Sequence, residues 1–186
     1  MITVADYLVM DHASEVKLEY YHGQIVAMAG SRPSHNVITA NIGGELRNAL
    51  RARPCQVYSS DQKVKTLTGG YFYPDVSVAC EPRFEGARDE ILVNPVLVAE
   101  VLSESTEARD RGLKFQQYRS IPSLKEVLFV AQDRCCVERY TRHSGGWLLT
   151  TFGPEDKSVE LTSVQMSLPL EEVYHKVNFD AEPPVN

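Results

Sequence analysis

The amino-acid sequence predicts an α/β protein of the α+β type, in which a mixed sheet is flanked by helices. Segments with helical spacing of apolar residues alternate with strand-like runs, in the order helix, two strands, helix, several strands, helix, more strands. The hydrophobic share of 43% and the charged share of 24% are those of an ordinary globular protein. A chain of 186 residues can bury roughly 70% of its unfolded surface as one domain.

The first elements predicted are a helix and a hairpin. Residues 3–13, TVADYLVMDHA, predict a short helix with Thr3 as its N-cap. Residues 16–30 predict two strands joined by the dipeptide His22-Gly23, which suits a two-residue turn.

A second, longer helix is predicted to open at Ser34 and to run to about residue 51. Its apolar residues recur at helical spacing. Two glycines inside it, Gly43 and Gly44, are unfavourable in a helix. They are expected to permit close packing against a sheet.

The middle of the chain predicts strands on both sides of a third helix. Residues 55–66 and 71–80 are typical of strands, and the polar segment 81–90 is typical of a loop. Residues 94–103, NPVLVAEVLS, are almost unbroken in their apolar character, which indicates a strand buried on both faces. The helix should begin at a cap, Ser105 or Thr106, and end before Pro122.

The last third predicts strands over residues 125–132, 135–143 and 147–152, with a turn at residues 144–146. A short helix is predicted over residues 168–177. We expect residues 1–178 to form a single domain and residues 179–186, which are polar and proline-rich, to form a flexible C-terminal tail.

Bulk properties narrow the function classes. A formal net charge of −6 argues against a general nucleic-acid binder, although it leaves room for a local basic patch. No apolar run reaches the roughly 20 residues of a membrane span, and the N-terminus lacks a basic n-region, so we expect a cytoplasmic protein without a membrane contact. The four cysteines show no zinc-binding spacing and are expected to be reduced thiols.

Two carboxylates occupy positions that are unusual for a charge. Asp75 follows Pro74 at the start of a predicted strand, and Glu100 is the single charge in an apolar run. If residues 72–80 and 95–102 pair as a hairpin, the two side chains lie about 5 Å apart. They would then repel each other unless a cation lay between them. Oxygen ligands without a His or Cys partner favour Mg²⁺, with Mn²⁺ as a second possibility.

Each carboxylate also has a simpler interpretation. Asp75 could cap the amides of a turn, since aspartate often does so after proline. Glu100 could form a buried salt bridge with a basic side chain. Both interpretations stay open at this point.

The same residues carry a resemblance to a known family. The segments YPDVSVA, VLVAEVLSEST and RDRGLKFQQYRSI resemble those of the Uma-type restriction-endonuclease family, within the PD-(D/E)XK nuclease superfamily. The similarity extends from TVADYLVM to KEVLFV and so covers most of the chain. It implies a restriction-endonuclease-like fold.

The resemblance also implies roles for individual residues. Asp75 would be the PD aspartate and Glu100 the acid of the (D/E)XK motif, and both would bind the metal. The usual lysine position, two residues after the acid, holds Leu102. The family places its lysine in the following helix, where Lys114 fits as the third catalytic residue.

Three further residues are candidates for the same site. Glu19 resembles an upstream glutamate that would reach the metal, and His35 also resembles a family position. Asp110 lies four residues before Lys114 and therefore on the same helix face. The alternatives are an exposed cross-strand partner of Lys17 or a neighbour for Glu19, a helix cap or packing residue for His35, and a solvated Asp110–Lys114 pair.

The function expected from the resemblance is a metal-dependent DNA endonuclease that hydrolyses phosphodiester bonds. The alternative is a catalytically degenerate nuclease-fold module for nucleic-acid binding or regulation. A metal-dependent enzyme on another phosphoester, or a dimerising structural protein, is a third class. We expect a homodimer, with WLLTTF and KEVLFV as possible contacts. The basic residues of the third helix are expected to offer DNA a positive surface: Arg109, Arg111, Lys114 and Arg119.

Overall fold

The computed structural model describes residues 1–28 and 30–179. Its helical elements are α1 (Val4–Ala13), α2 (Pro33–Leu50), α3 (Glu107–Arg109), a π-helical turn (Asp110–Lys114), α4 (Phe115–Tyr118) and α5 (Leu170–Val173). Its first eight strands are β1 (Leu18–Tyr21), β2 (Gln24–Ala27), β3 (Cys55–Ser59), β4 (Lys63–Lys65), β5 (Tyr71–Phe72), β6 (Val76–Cys80), β7 (Phe84–Glu85) and β8 (Ile91–Leu92). The remaining six are β9 (Leu97–Leu102), β10 (Glu126–Ala131), β11 (Val137–His143), β12 (Gly146–Phe152), β13 (Ser158–Leu161) and β14 (Met166–Pro169).

The strands form two mixed six-stranded sheets and one small hairpin. One sheet has the order β2-β1-β5-β4-β8-β7, the central sheet has the order β12-β11-β10-β9-β6-β3, and β13 pairs with β14. Most neighbours are antiparallel, but β9 and β10 run parallel, as do β4 and β8. The predicted fold class, a mixed sheet flanked by helices, is confirmed.

The N-terminal helix and hairpin are confirmed, but the second strand, predicted to reach residue 30, ends at Ala27, and residue 29 lies outside the described residues. Thr3 caps α1 through a capping box with Asp6, so two orphan amides at the helix start are satisfied. The β1–β2 hairpin turns at His22 and Gly23, whose φ angles are +46° and +78°. Two successive positive φ angles are those of the turn whose twist matches antiparallel strands.

Helix α2 differs from the prediction at both its start and its glycines. It begins at Pro33 rather than at Ser34, because proline is already fixed in a helical φ and its missing N–H costs nothing in the first turn. A Cβ added at Gly43 or at Gly44 would meet nothing within 4 Å, so these glycines are not required for close packing. The buried stripe of the helix instead consists of larger residues at helical spacing: Ile38, Ile42, Leu46 and Leu50.

Each of the two long strands predicted over 55–66 and 71–80 is divided into two. A turn near Asp61 separates β3 from β4, and Tyr73-Pro74-Asp75 separates β5 from β6. In both cases the two halves lie in different sheets. Proline cannot donate a ladder hydrogen bond, which makes residues 73–75 a natural place for the chain to change sheets. Residues 81–90, predicted as a loop, contribute the short strand β7.

The centre of the fold is the parallel pair β9 and β10 with the helical segment between them. All six residues of each strand are buried, which confirms the prediction for 94–103. Leu97, Ala99 and Val101 pack in the cluster that contains α2, whereas Val98 and Leu102 pack in the cluster that contains Tyr118. Alternate residues of β9 therefore face opposite layers, as the pleat of a strand requires.

The C-terminal part adds elements that periodicity did not indicate. The short hairpin β13–β14 precedes α5, which is shorter than the predicted helix. Phe179, the first residue of the predicted tail, contacts the ring of Tyr174 at a centroid distance of 5.5 Å. The rest of that predicted tail, residues 180–186, lies outside the described residues.

Two other features concern the cysteines and membrane contact. Cys55 and Cys80 are direct cross-strand partners and form a disulfide, so the expectation of four reduced thiols is wrong for this pair. Cys135 and Cys136 are free. Among the helices of residues 1–28 and 30–179, none combines the length and the apolar character that a membrane crossing needs.

Candidate active site

Asp75 and Glu100 are brought face to face by the pairing of β6 with β9. The antiparallel register pairs Val76 with Ala99 and Ser77 with Val98. Continued by one residue, it places Asp75 opposite Glu100, which is the arrangement the sequence predicted. Both residues are more than 90% buried, so only a small part of each side chain faces the solvent.

Asp75 is held by the two elements next to it. Its Oδ2 accepts a hydrogen bond of 2.7 Å from the backbone N–H of Val101 in β9. The same oxygen lies 3.2 Å from Nε2 of His35, in the first turn of α2. The carboxylate therefore does not cap its own turn but joins the sheet to α2.

Glu100 receives two donors from the helical segment that follows it. Lys114 Nζ and the Tyr118 hydroxyl both donate to Oε1, at 3.1 Å and 2.5 Å. A salt bridge was one interpretation of this glutamate, and the salt bridge is present. Its cation is the lysine that the family resemblance singled out.

Lys114 is the centre of a cluster of carboxylates. In addition to Glu100, its Nζ lies 3.1 Å from Oε1 of Glu19 and 3.4 Å from Oδ1 of Asp110. The lysine side chain is only 5% exposed, so a solvated surface pair with Asp110 is excluded. An ammonium group has three N–H donors, and three acids surround it.

Glu19 is likewise buried and does not pair with Lys17. It accepts a hydrogen bond from the backbone N–H of Tyr73 at 3.1 Å and another from the guanidinium of Arg109. Lys17 instead pairs with Asp61. Glu19 thus joins β1 to the segment that carries Pro74 and Asp75.

The lysine that contacts the strand glutamate is the last residue of the π-helical turn. The backbone N–H of Phe115 bonds to the carbonyl of Asp110, five residues earlier, which is the π-type hydrogen bond. Such turns are frequent at functional sites. Leu102, on the same strand face as Glu100, is buried in the core cluster around Tyr118, so the usual lysine position is filled with hydrocarbon.

The electrostatics of the site favour bound cations. Burial raises the pKa of the Glu100 carboxyl well above its ordinary value, Lys114 opposes this rise, and the neighbouring acids add to it. Burial likewise raises the pKa of Asp110. Burial alone would lower the pKa of Lys114, but the surrounding carboxylates raise it, so the lysine keeps its proton.

These residues line one open cleft of about 750 Å³. Its walls contain all six candidate residues identified from the sequence: Glu19, His35, Asp75, Glu100, Asp110 and Lys114. Other wall residues come from the loop after β9 and from the end of β10, where Gln132 lies. The structure therefore brings together every candidate of the sequence-based set.

The carboxylates suit a hard divalent cation. Within residues 1–28 and 30–179, no three His, Cys, Asp or Glu side chains are arranged to hold a metal by themselves. Mg²⁺ needs no such cage, because it retains several waters and binds through one or two carboxylates plus substrate phosphate. Within the described residues, hydrogen bonds engage only Oδ2 of Asp75 and Oε1 of Glu100, so the second oxygen of each acid remains for a cation.

The positive surface expected on the third helix is reduced to Arg119, which is exposed, because the other three basic residues are paired with acids. Arg109 binds Glu19, Arg111 binds Glu107 and Glu138, and Lys114 is buried. Most of these charges are thus neutralised by neighbouring acids.

Sequence reasoning gave no site role to Tyr73, which joins two parts of the molecule. Its backbone N–H binds Glu19, and its hydroxyl donates to Asp11 Oδ2 at 2.8 Å. The sequence feature that could have identified Tyr73 is its position directly before Pro74-Asp75.

Asp11 in turn pairs with Lys63 at 2.6 Å, and both side chains are buried.

Comparison with known proteins identifies relatives along most of the chain. A family model described as "Uma2: Putative restriction endonuclease" matches residues 4–171. Two uncharacterized proteins of Synechocystis sp. strain PCC 6803 are 35% and 34% identical to the chain. The first alignment covers 94% of this chain and 92% of the relative, and the second covers 89% and 96%.

A solved structure shares the fold. The crystal structure of a "putative nuclease belonging to DUF820" from Anabaena variabilis superimposes with a TM-score of 0.76. The match covers 94% of this chain and 98% of that chain at 17% sequence identity. The predicted restriction-endonuclease-like fold is thus confirmed.

Proposed function

This chain belongs to the Uma2 family, whose description is "Putative restriction endonuclease", and on that premise we propose that it is a metal-dependent DNA endonuclease. The family and the fold support a nuclease function in general. The observation that carries the finer proposal is the convergence of Asp75, Glu100 and Lys114 on one open cleft.

The proposed metal ligands are Asp75 and Glu100. They would hold Mg²⁺, or Mn²⁺, through the carboxylate oxygens that the protein's own hydrogen bonds do not use. When bound, the ion would activate a water molecule for attack and offset charge on the phosphodiester. Val101 N–H and His35 would keep the Asp75 carboxylate oriented toward the cleft.

Lys114 is proposed to stabilise negative charge rather than to accept a proton. Its pKa is raised by the acids around it, so it stays protonated and keeps its positive charge beside the cleft. A fixed ammonium group beside the developing charge of a phosphodiester lowers the barrier without reorganising solvent. Tyr118 fixes the Glu100 carboxylate through its hydroxyl group, and Asp110 fixes the Lys114 ammonium group.

The degenerate-module alternative predicts a site that has lost its lysine. Leu102 at the usual position would support it, but Lys114 lies 3.1 Å from Glu100, which supports a helical lysine in place of the missing group. A cleft open to solvent also supports a polymeric substrate over a small enclosed phosphoester. We therefore favour the catalytic function.

A plasmid-nicking assay tests this proposal. Supercoiled DNA is incubated with wild-type protein in Mg²⁺, in Mn²⁺ and in EDTA, beside the variants Asp75→Ala and Asp133→Ala. Asp133 is an exposed surface acid, so its variant is a matched control. We expect metal-dependent nicking by wild type and by Asp133→Ala only. DNA binding without nicking would favour the degenerate module, and neither binding nor nicking would overturn both functions.

A further inference from the structure

We propose that Gln132 reads a nucleobase next to the phosphodiester that is cut, an inference that rests on the proposed function. Gln132 is only 6% exposed and lines the same cleft as Asp75 and Glu100. Its Oε1 is buried and receives no hydrogen bond from the part of the chain that the structure describes. Buried polar atoms are nearly always paired, so an unpaired one in a cleft points to a partner that the substrate supplies.

The position of Gln132 in the fold suits a substrate contact. Ala131, the last residue of β10, pairs in parallel with Leu102, so Gln132 lies beside Ser103 where both strands end. In open α/β sheets, ligands bind in the crevice outside the carboxyl ends of parallel strands.

Strand alternation separates Gln132 from the reacting centre. Leu128 and Val130 pack on the α2 layer, and Gln132, the first residue after β10, falls on that side of the sheet if the alternation of the strand is continued by one residue. Glu100 belongs to the opposite face of the sheet, with Val98 and Leu102. A strand of DNA that places its phosphodiester at Glu100 would therefore present a neighbouring nucleotide, and not the reacting atoms, to Gln132.

The chemistry of the unpaired atom identifies the contacted group. Oε1 of a glutamine is an acceptor, so its partner must carry an N–H or O–H. The phosphates of DNA carry only acceptors at neutral pH, whereas the exocyclic amino groups of the bases are donors. Adenine fits a carboxamide best, because its N6 amino group donates to Oε1 while its N7 accepts from Nε2. Gln132 is thus a specificity-determining residue for adenine.

The test uses a duplex pool with randomised sequence, cut by wild type in Mg²⁺ or Mn²⁺, with the new ends sequenced. We expect an adenine preference of about tenfold at one position beside the cut. Gln132→Met keeps the side-chain size and should remove this preference without lowering the melting temperature. Gln132→Glu should shift it toward cytosine, because a carboxylate accepts from the cytosine amino group but cannot donate to adenine N7.

Two further variants serve as controls. Gln116 is exposed on α4, and Gln116→Met should leave the preference and the melting temperature unchanged. Gln117 is buried and accepts hydrogen bonds from Thr66 and Thr68, so Gln117→Met should lower the melting temperature. This pair separates a structural glutamine from one that binds substrate.

The outcomes distinguish this inference from the proposed function. Cleavage without base preference, or an unchanged preference in both Gln132 variants, would overturn the inference and leave the endonuclease in place. The same result is expected if a buried water is the partner of Oε1. If wild type binds DNA without cutting it, the bound pool is sequenced instead; an adenine preference that Gln132→Met erases upholds the inference while cleavage fails. A protein that neither cuts nor binds DNA overturns both.

Discussion

Asp75 and Glu100 lie opposite each other across the antiparallel β6–β9 pair, and each is tied to a different neighbour. Asp75 is fixed by Val101 and His35, whereas Glu100 is fixed by Lys114 and Tyr118. The two acids therefore share a space without sharing a hydrogen-bond partner. Several consequences of this arrangement can be measured.

Replacing Asp75 with Asn should abolish metal-dependent cleavage while leaving the metal-free protein equally or more stable, by about 1 kcal/mol. The amide keeps an oxygen for the Val101 N–H and removes one of two like charges. Thermal melts in EDTA and in millimolar Mg²⁺ measure both parts. Wild type should melt higher with Mg²⁺, because a ligand of the native state stabilises it. A wild type indifferent to Mg²⁺ and Mn²⁺, together with a clearly destabilised variant, would refute the metal site.

Replacing Lys114 with Met should lower the free energy of unfolding by about 4 kcal/mol, because Glu19, Glu100 and Asp110 lose their shared cation. Lys125→Met, at an exposed position, is the matched control and should change little. Adding Glu100→Gln to Lys114→Met should restore part of the loss, since one buried charge is then removed. Urea unfolding of wild type, Lys114→Met, Glu100→Gln and the double variant completes this double-mutant cycle, and strictly additive losses would contradict the cluster.

Replacing Asp11 with Asn should destabilise the protein at neutral pH by about 3 kcal/mol. Burial alone would raise the pKa of Asp11, but hydrogen bonds from Lys63, the Leu18 N–H and Tyr73 lower it below its ordinary value of 3.8. A depressed carboxyl pKa adds stability above pH 3.8 and loses it as the pH falls through the folded-state value. The difference in the free energy of unfolding between wild type and Asp11→Asn, measured by urea titration, should therefore become smaller below about pH 4. A difference that does not depend on pH would refute this role of Asp11.

The predicted homodimer now has one candidate contact instead of two. KEVLFV cannot supply it, because all six residues of β10 are buried inside the sheet. Strand β12 lies at the edge of the central sheet and exposes Leu148 and Leu149. Sedimentation should give twice the 20.9 kDa chain mass, and Leu149→Lys should shift the equilibrium toward monomer. A monomer mass for wild type over a wide concentration range would refute the dimer.

The sequence predicted the pairing of the two central acids because their positions violate local rules. A charge after proline at a strand start and a charge in an apolar run each need a partner, and strand pairing can supply one for both. The role of Lys114 came from the family resemblance, since its spacing from Asp110 alone is also that of an ordinary surface pair.

Other features could not be predicted because they depend on contacts between distant elements. Lys63 and Lys65 flank the apolar Val64 in β4, a pattern typical of a charged face in solvent, yet Lys63 is buried against Asp11 of α1. The π-helical turn has no marker in helix propensity, and Cys55 pairs with Cys80 only after β3 and β6 are aligned. Gln132 is an ordinary polar residue after a strand until the cleft around it is known.

The dispersed origin of the carboxylate cluster also governs when the site can exist. Its members come from β1, the residue before β6, β9 and the π-helical turn, so the two six-stranded sheets must meet and the helical segment between β9 and β10 must dock before the carboxylates converge. Contacts between distant segments form late in folding, since each requires loop closure first. If the protein is a nuclease, a nascent or half-folded chain would have no activity. During refolding, nuclease activity would return only after the final docking step, later than the circular-dichroism signal of the helices and strands.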